Sequence, residues 1–226
     1  MKIGYFYTME HLDLISIPPT PLKIPDRGDA KFCPAIQSVI KNTFEIKCPY
    51  DIHMSFKGYN ENDEVIVRLD PDNTTLLDSA FDSFIKIHSR KEWSDKNIPL
   101  IQFKPNIVFV TDEKGLTIEG FPPFLEYRPN LPIRSTAFKF NCYNWIRPCQ
   151  YGIEWMNTEK PIIFKRRDTL MYIRFNTDKN IKLEKIDKTE KLERLVKRNI
   201  GVKEFVKGLS FHAMLIAGKT RPRKLL

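Results

Sequence analysis

The chain has 226 residues, 42% of them hydrophobic and 12% aromatic, with a formal net charge of +9. That balance excludes a disordered or low-complexity chain and suits one large domain or two small ones. No run reaches the ~18 consecutive apolar residues of a membrane span, so no membrane partner is expected.

In chain order, "KIGYFYT" (2–8) reads as a first strand. The stretch "MKIGYFYTMEHLDL" lacks the long apolar core and cleavage site of a signal peptide, which predicts cytoplasmic synthesis. "PAIQSVIKN" (34–42) predicts a short early helix: Pro34 is tolerated in a first turn, and Ile36, Val39 and Ile40 fall on one side. Strands follow at "FEIKC" (44–48), "DIHMSF" (51–56), "EVIVRL" (64–69), "FIKI" (84–87), "PLIQF" (99–103) and "NIVFVT" (106–111). "YNENDE" and "RLDPDNTT" are polar turns.

"VFVTDEKGLTIE" predicts a hairpin joining the strand at 106–111 to "LTIE" (116–119), with Asp112 and Gly115 supplying turn chemistry. The Pro-rich "GFPPFLEYRPNLPIR" (120–134) suits a long crossing loop. Beyond it lie "TAFKFN" (136–141), "PIIF" (161–164), "LMYIRF" (170–175) and "IKLEKI" (181–186). In "TAFKFN", Phe138 and Phe140 point one way and Lys139 the other.

Two C-terminal helices close the chain. Asp187 and Glu190 have capping-box spacing, Leu192, Leu195, Val196 and Ile200 recur at helical intervals, and Gly201 can end the helix. The second, about 202–217, offers Val202, Phe205, Val206, Leu209 and Ala213 as a buried face. The final "RPRKLL" is too short and basic to order itself, and a neighbouring chain could hold it. Together these elements predict a mainly β fold: an antiparallel β-sandwich over 1–186, for which a jelly roll is one topology, with the basic helical segment 187–226 packed on it.

The charge is unevenly placed. From Lys179 to Lys224 there are fourteen Lys/Arg against five Asp/Glu, whereas residues 1–178 hold 23 of each. Lys191, Arg194, Lys197, Arg198, Lys203 and Lys207 fall mostly away from the apolar helix faces. Arg221, Arg223 and Lys224 carry the same sign to the end. Such an array is a candidate contact for an acidic protein surface or DNA.

Chemistry-bearing motifs are sparse. Cys33, Cys48, Cys142 and Cys149 lack the C-x2–4-C pairing of structural zinc sites, and the two Cys-Pro pairs mark a helix start and a strand break. Small buried thiols are the expected role, although Cys33 at a helix start has the setting that activates a nucleophile. "HLD" places His11 and Asp13 as the start of a facial iron triad, for which His88 or His212 could be the third ligand. "AGKT" (217–220) lacks the earlier Gly of a phosphate-binding loop, because Ala213 stands there. Trp145 and Trp155, with Tyr143 and Tyr151, could stack a sugar or base ring, but core filling suits their alternation better. In "FKRRDTL", Arg166 and Arg167 beside Asp168 predict a surface ion pair.

Three pieces resemble a known pattern: "FCPAIQSVIKNTFEIKCPYDI", the segment around Trp145 and Trp155, and "KPIIFKRRDTLMYIRFNT". They are similar to an uncharacterised family of tailed phages, notably contractile-tailed cyanophages, with relatives in marine bacteria. The likeness spans much of 31–180 and carries no assigned activity, so no site residue comes with it. It implies a phage-encoded protein. The function expected is a non-enzymatic structural or assembly protein, made in the host cytoplasm and then carried in the virion. It would dock on virion proteins or on itself through the basic segment, with no cofactor. The alternatives are a non-haem iron oxygenase-like accessory enzyme and a carbohydrate- or ligand-binding sandwich.

Overall fold

The structure, a computed structural model, describes residues 1–24, 32–93, 95–126, 131–135, 137–205 and 210–226. In chain order the first elements are β1 (Lys2–Tyr7), α1 (Glu10–Ile15), β2 (Thr20–Pro21), α2 (Pro34–Ile40), β3 (Thr43–Lys47), β4 (Ile52–Tyr59) and β5 (Val65–Leu69). Next come α3 (Asp78–Phe84), β6 (Ile85–Ile87), β7 (Leu100–Phe103), β8 (Ile107–Val110), β9 (Thr117–Phe121) and β10 (Ile133–Ser135). The chain ends with β11 (Phe138–Asn141), β12 (Tyr151–Trp155), β13 (Ile162–Phe164), β14 (Thr169–Phe175), β15 (Lys182–Lys185), α4 (Glu190–Phe205) and α5 (Ser210–Thr220).

The fold is mainly β, sandwich-like and predominantly antiparallel. The strands divide among four sheets, ordered β15-β1-β8, β10-β12-β7-β6, β11-β9-β14-β3-β2 and β13-β4-β5. Among the described residues β1 and β15 make the one parallel pair, with Lys2 opposite Lys182. The main core lies between the sheets, where Ile52, Met54, Ile101, Phe103, Ile153 and Ile173 are fully buried. Burying side chains of this size stabilises by about 1.5–3 kcal/mol each, an upper estimate against a compact unfolded chain. Edge-to-face rings tie the sheets together: Phe103 of β7 meets Phe164 of β13 at 5.4 Å. Phe109 of β8 meets Phe175 of β14 at 5.3 Å.

Strand β8 is buried along its whole length. Its neighbour β1 is exposed only at Lys2. Ile3, Tyr5, Tyr7, Ile107 and Phe109 face the main core. Phe6, Val108 and Val110 face the other way, onto Leu192, Leu195 and Val196 of α4. A strand covered on both faces needs apolar residues at every position, which explains the unbroken run "IVFV".

The structure corrects several expectations. Strands β8 and β9 do not form a hairpin: β8 pairs with β1, while β9 pairs with β11 and β14. Gly115 does turn the chain, at φ 82°, but the turn carries it from one sheet to another. Helix α2 buries none of its residues, and Val39 is 39% exposed, so Ile36, Val39 and Ile40 make no core face. Helices α1 and α3 were not anticipated. Each is under two turns and each is anchored by a single buried residue, Leu12 or Phe84, too little to set a period.

The first residue of α4 is Glu190, and the capping oxygen belongs to Thr189 rather than Asp187: Leu192 N–H donates to Thr189 Oγ1 at 3.3 Å. Gly201 does not end α4, which runs on to Phe205. The last helix therefore begins later than expected, at Ser210. The side chains of Val202, Phe205, Val206, Leu209 and Ala213 lie outside the described residues. Inside the Pro-rich crossing segment β10 pairs with β12, and Phe124 covers Tyr172 at 5.0 Å.

Candidate docking surface

The C-terminal end is fastened to the body of the chain. Arg221 has a side chain only 1% exposed. Its Nη1 donates to the carbonyls of Thr111 (2.9 Å) and Tyr143 (2.8 Å), and its Nη2 donates to Asp112 Oδ1 at 3.1 Å. The guanidinium lies over the Tyr143 ring, 3.9 Å from its centroid. Burial pulls its pKa down, and the neighbouring Tyr143 and Asp112 oppose that.

Asp112 also accepts from the backbone N–H groups of Leu225 (2.8 Å) and Leu226 (3.1 Å). One carboxylate thus holds three donors from the last six residues. Arg198 fastens α4 to α5, donating to Thr220 Oγ1 (3.1 Å) and the Ala217 carbonyl (3.3 Å). Asn199 Nδ2 fastens α4 to the β body through the Ile146 carbonyl at 3.0 Å.

These contacts sort the basic residues by role. Arg221 is buried and its donors are engaged within the chain, while Arg198 is half-buried with its Nη donors on α5. Arg194 and Lys197 are exposed but sit within 3.7 Å of Glu190 and 3.2 Å of Glu193 in i,i+4 pairs. Such exposed pairs are weak and screened by salt, so they leave the residues available to a stronger anion. Lys191, Lys219, Arg223 and Lys224 are exposed. The side chains of Lys203 and Lys207 lie outside the described residues.

The alternative sites are dispersed by the fold. His11 and Asp13 lie on α1, where Asp13 pairs with Lys185 at 3.0 Å. His88 is engaged with Glu92 at 2.9 Å, and His212 is exposed on α5. Among the described residues no three His, Cys, Asp or Glu side chains gather to hold a metal ion. Asp13 instead helps line a 560 Å³ groove with Tyr7, Glu10, Leu14 and Lys185.

The tryptophans do not form a platform. Trp155 is 1% exposed, with Nε1 donating to the Lys160 carbonyl at 3.0 Å. Trp145 is half-buried beneath Arg147, and its indole N–H is buried with no partner. Asp168 accepts from Lys165 N–H within its own turn at 2.8 Å. No helix among the described residues is long and apolar enough to cross a membrane.

None of the four cysteines is in a disulfide; Cys48, Cys142 and Cys149 are buried and Cys33 is partly exposed. Burial pushes the thiols of Cys142 and Cys149 up to about 12. A native-state titration with a disulfide reagent should therefore modify Cys33 alone at neutral pH, and all four thiols after unfolding. Rapid reaction of a second native thiol would contradict this packing.

Sequence reasoning missed Asp112 and Tyr143 as the anchor of the tail. Their roles depend on Arg221, about 110 and 80 positions away, and no local pattern marks them. The chain matches no protein-family model, and no curated protein or solved structure is significantly similar to it.

Proposed function

We propose that this chain is a phage structural or assembly protein that acts by docking, with its C-terminal helical layer as the contact element. The observation that supports this reading most is the charge partition combined with the clasp. Residues 1–178 are formally neutral, while the cationic excess sits in a layer fastened by Arg221, Asp112 and Arg198. A rigid basic layer on a neutral body has a directional field, which steers an acidic surface to one side of the molecule. The partner is an acidic surface of another virion protein.

Removing the tail would destroy the clasp, so charge reversal tests the reading better than truncation. The variant Lys191→Glu/Lys219→Glu/Arg223→Glu/Lys224→Glu changes only exposed positions. It should fold normally and fail to assemble into particles, and wild-type attachment should weaken as salt rises. Mass spectrometry of purified virions provides the second check. Absence of the chain there, or full incorporation of the charge-reversed variant, defeats the docking reading. Retention on DNA-cellulose with a steep salt slope would move the partner to nucleic acid.

A further inference from the structure

Helix α5 carries two large apolar residues on its outer side, Leu215 at 41% and Ile216 at 61% exposure. With His212 and Lys219 they occupy positions i, i+3, i+4 and i+7, which lie on one helix face. All four are exposed. The inner side is fixed. Ala217 is 7% exposed, and a Cβ at Gly218 would overlap the Asn144 side chain.

The outward face is also locked in rotation. Turning α5 enough to bury Ile216 would drive a neighbouring side chain into Asn144. It would also withdraw Arg221 from its carbonyls one residue beyond the helix. The apolar pair therefore cannot relieve its exposure by rolling inward. An exposed apolar face held in place against its own interest is what a docking site looks like before its partner arrives.

The charge around the stripe selects the occupant. From residue 205 to the end the sequence has five Lys/Arg and no Asp or Glu. A second copy would bring the same cations face to face. A phosphate backbone would satisfy Lys219 and leave Leu215 and Ile216 without apolar contact. A bilayer surface needs a helix able to sink its apolar face about 5–10 Å, and α5 is fastened to a folded body with two large apolar residues on the stripe. We propose that the His212–Leu215–Ile216–Lys219 stripe docks an acidic amphipathic helix of a partner protein. Its apolar face would pack over Leu215 and Ile216, and its flanking carboxylates would meet Lys219 and Arg223. This rests on the docking reading above and names the apolar centre within it.

The probe is a labelled helical peptide with Leu along one face and Glu on both flanks, followed by fluorescence anisotropy on the full chain. Binding is expected, weakened by salt, and absent for the same peptide with Lys in place of Glu. The uncharged variant Leu215→Ser/Ile216→Ser should lose about tenfold in affinity, as truncation of a central contact does. Leu77→Ser, at an apolar residue 69% exposed on another part of the surface, should change nothing. The thermal midpoint of every variant should match wild type. Failure of the Glu peptide to bind, or equal binding by the Leu215→Ser/Ile216→Ser variant, overturns the proposal. So does preferential binding to phosphatidylserine vesicles, or a wild-type dimer that this variant dissociates. If the charge-reversed variant loses particle assembly while Leu215→Ser/Ile216→Ser retains it, the basic docking reading stands and the apolar centre is wrong.

Discussion

Arg221→Ala should lower folding stability by about 3 kcal/mol, the cost of taking a buried charged donor away from two carbonyls and a partly exposed carboxylate. The loss is not of one contact. The carbonyls of Thr111 and Tyr143 would lose a donor in a place water reaches poorly, and Asp112 Oδ1 would lose one of its two. Asp112 would keep only the two backbone donors of Leu225 and Leu226. For a chain of this length the midpoint should fall by roughly 10 °C in thermal circular dichroism. Arg221→Lys should not rescue it, because one ammonium cannot reproduce a planar fork stacked on Tyr143. A loss under about 1 kcal/mol would mean the tail is not held by this clasp.

Trp155→Ala should cost a similar amount, about 3–5 kcal/mol, by opening a cavity in the main core. Trp155 sits on β12 opposite Ile133, packs edge-to-face on Phe56 at 6.1 Å and spends its N–H on Lys160. It thereby joins the β10-β12-β7-β6 sheet to the β13-β4-β5 sheet. Urea unfolding measures the effect. If Trp155 instead served a bound sugar, its removal would weaken ligand retention and leave the unfolding midpoint in place. Trp145→Ala should cost less, because that ring is only half-buried.

What the sequence made legible, and what it hid, follows from the range of the interactions. All twelve anticipated strands are present within a few residues, because alternation and β-branched runs are local signals. Strand β12 was hidden: the aromatic density of "CYNWIRPCQYGIEW" resembles a platform as much as a strand, and Tyr151, Ile153, Glu154 and Trp155 are all buried. The buried Glu154 broke the expected alternation; it is held by Arg134 at 2.5 Å. Turn chemistry at 112–115 was legible, but the destination of the chain after it was not. That destination depends on β1 and β14 claiming β8 and β9 from far away in sequence. For the docking surface, the charge asymmetry was visible at once. The separation of structural arginines from exposed lysines required the clasp to be seen.

Strand β1 pairs with segments that do not exist when it is made. Tyr7 waits for Ile107, and Lys2 waits for Lys182. At about 5–20 residues per second, the second wait lasts roughly 10–35 s on the ribosome. Through that interval Tyr5, Phe6 and Tyr7 lack β15 and the α4 cover, and through its first part β8 as well. The closing steps then follow one another in chain order: β15 zips alongside β1, α4 seals Phe6, and Arg221 docks on Asp112. Such late, long-range closure makes for slow folding and a premium on keeping the nascent N-terminal strand away from other chains. Strand β1 is thus complete only when segments more than 170 positions downstream have arrived.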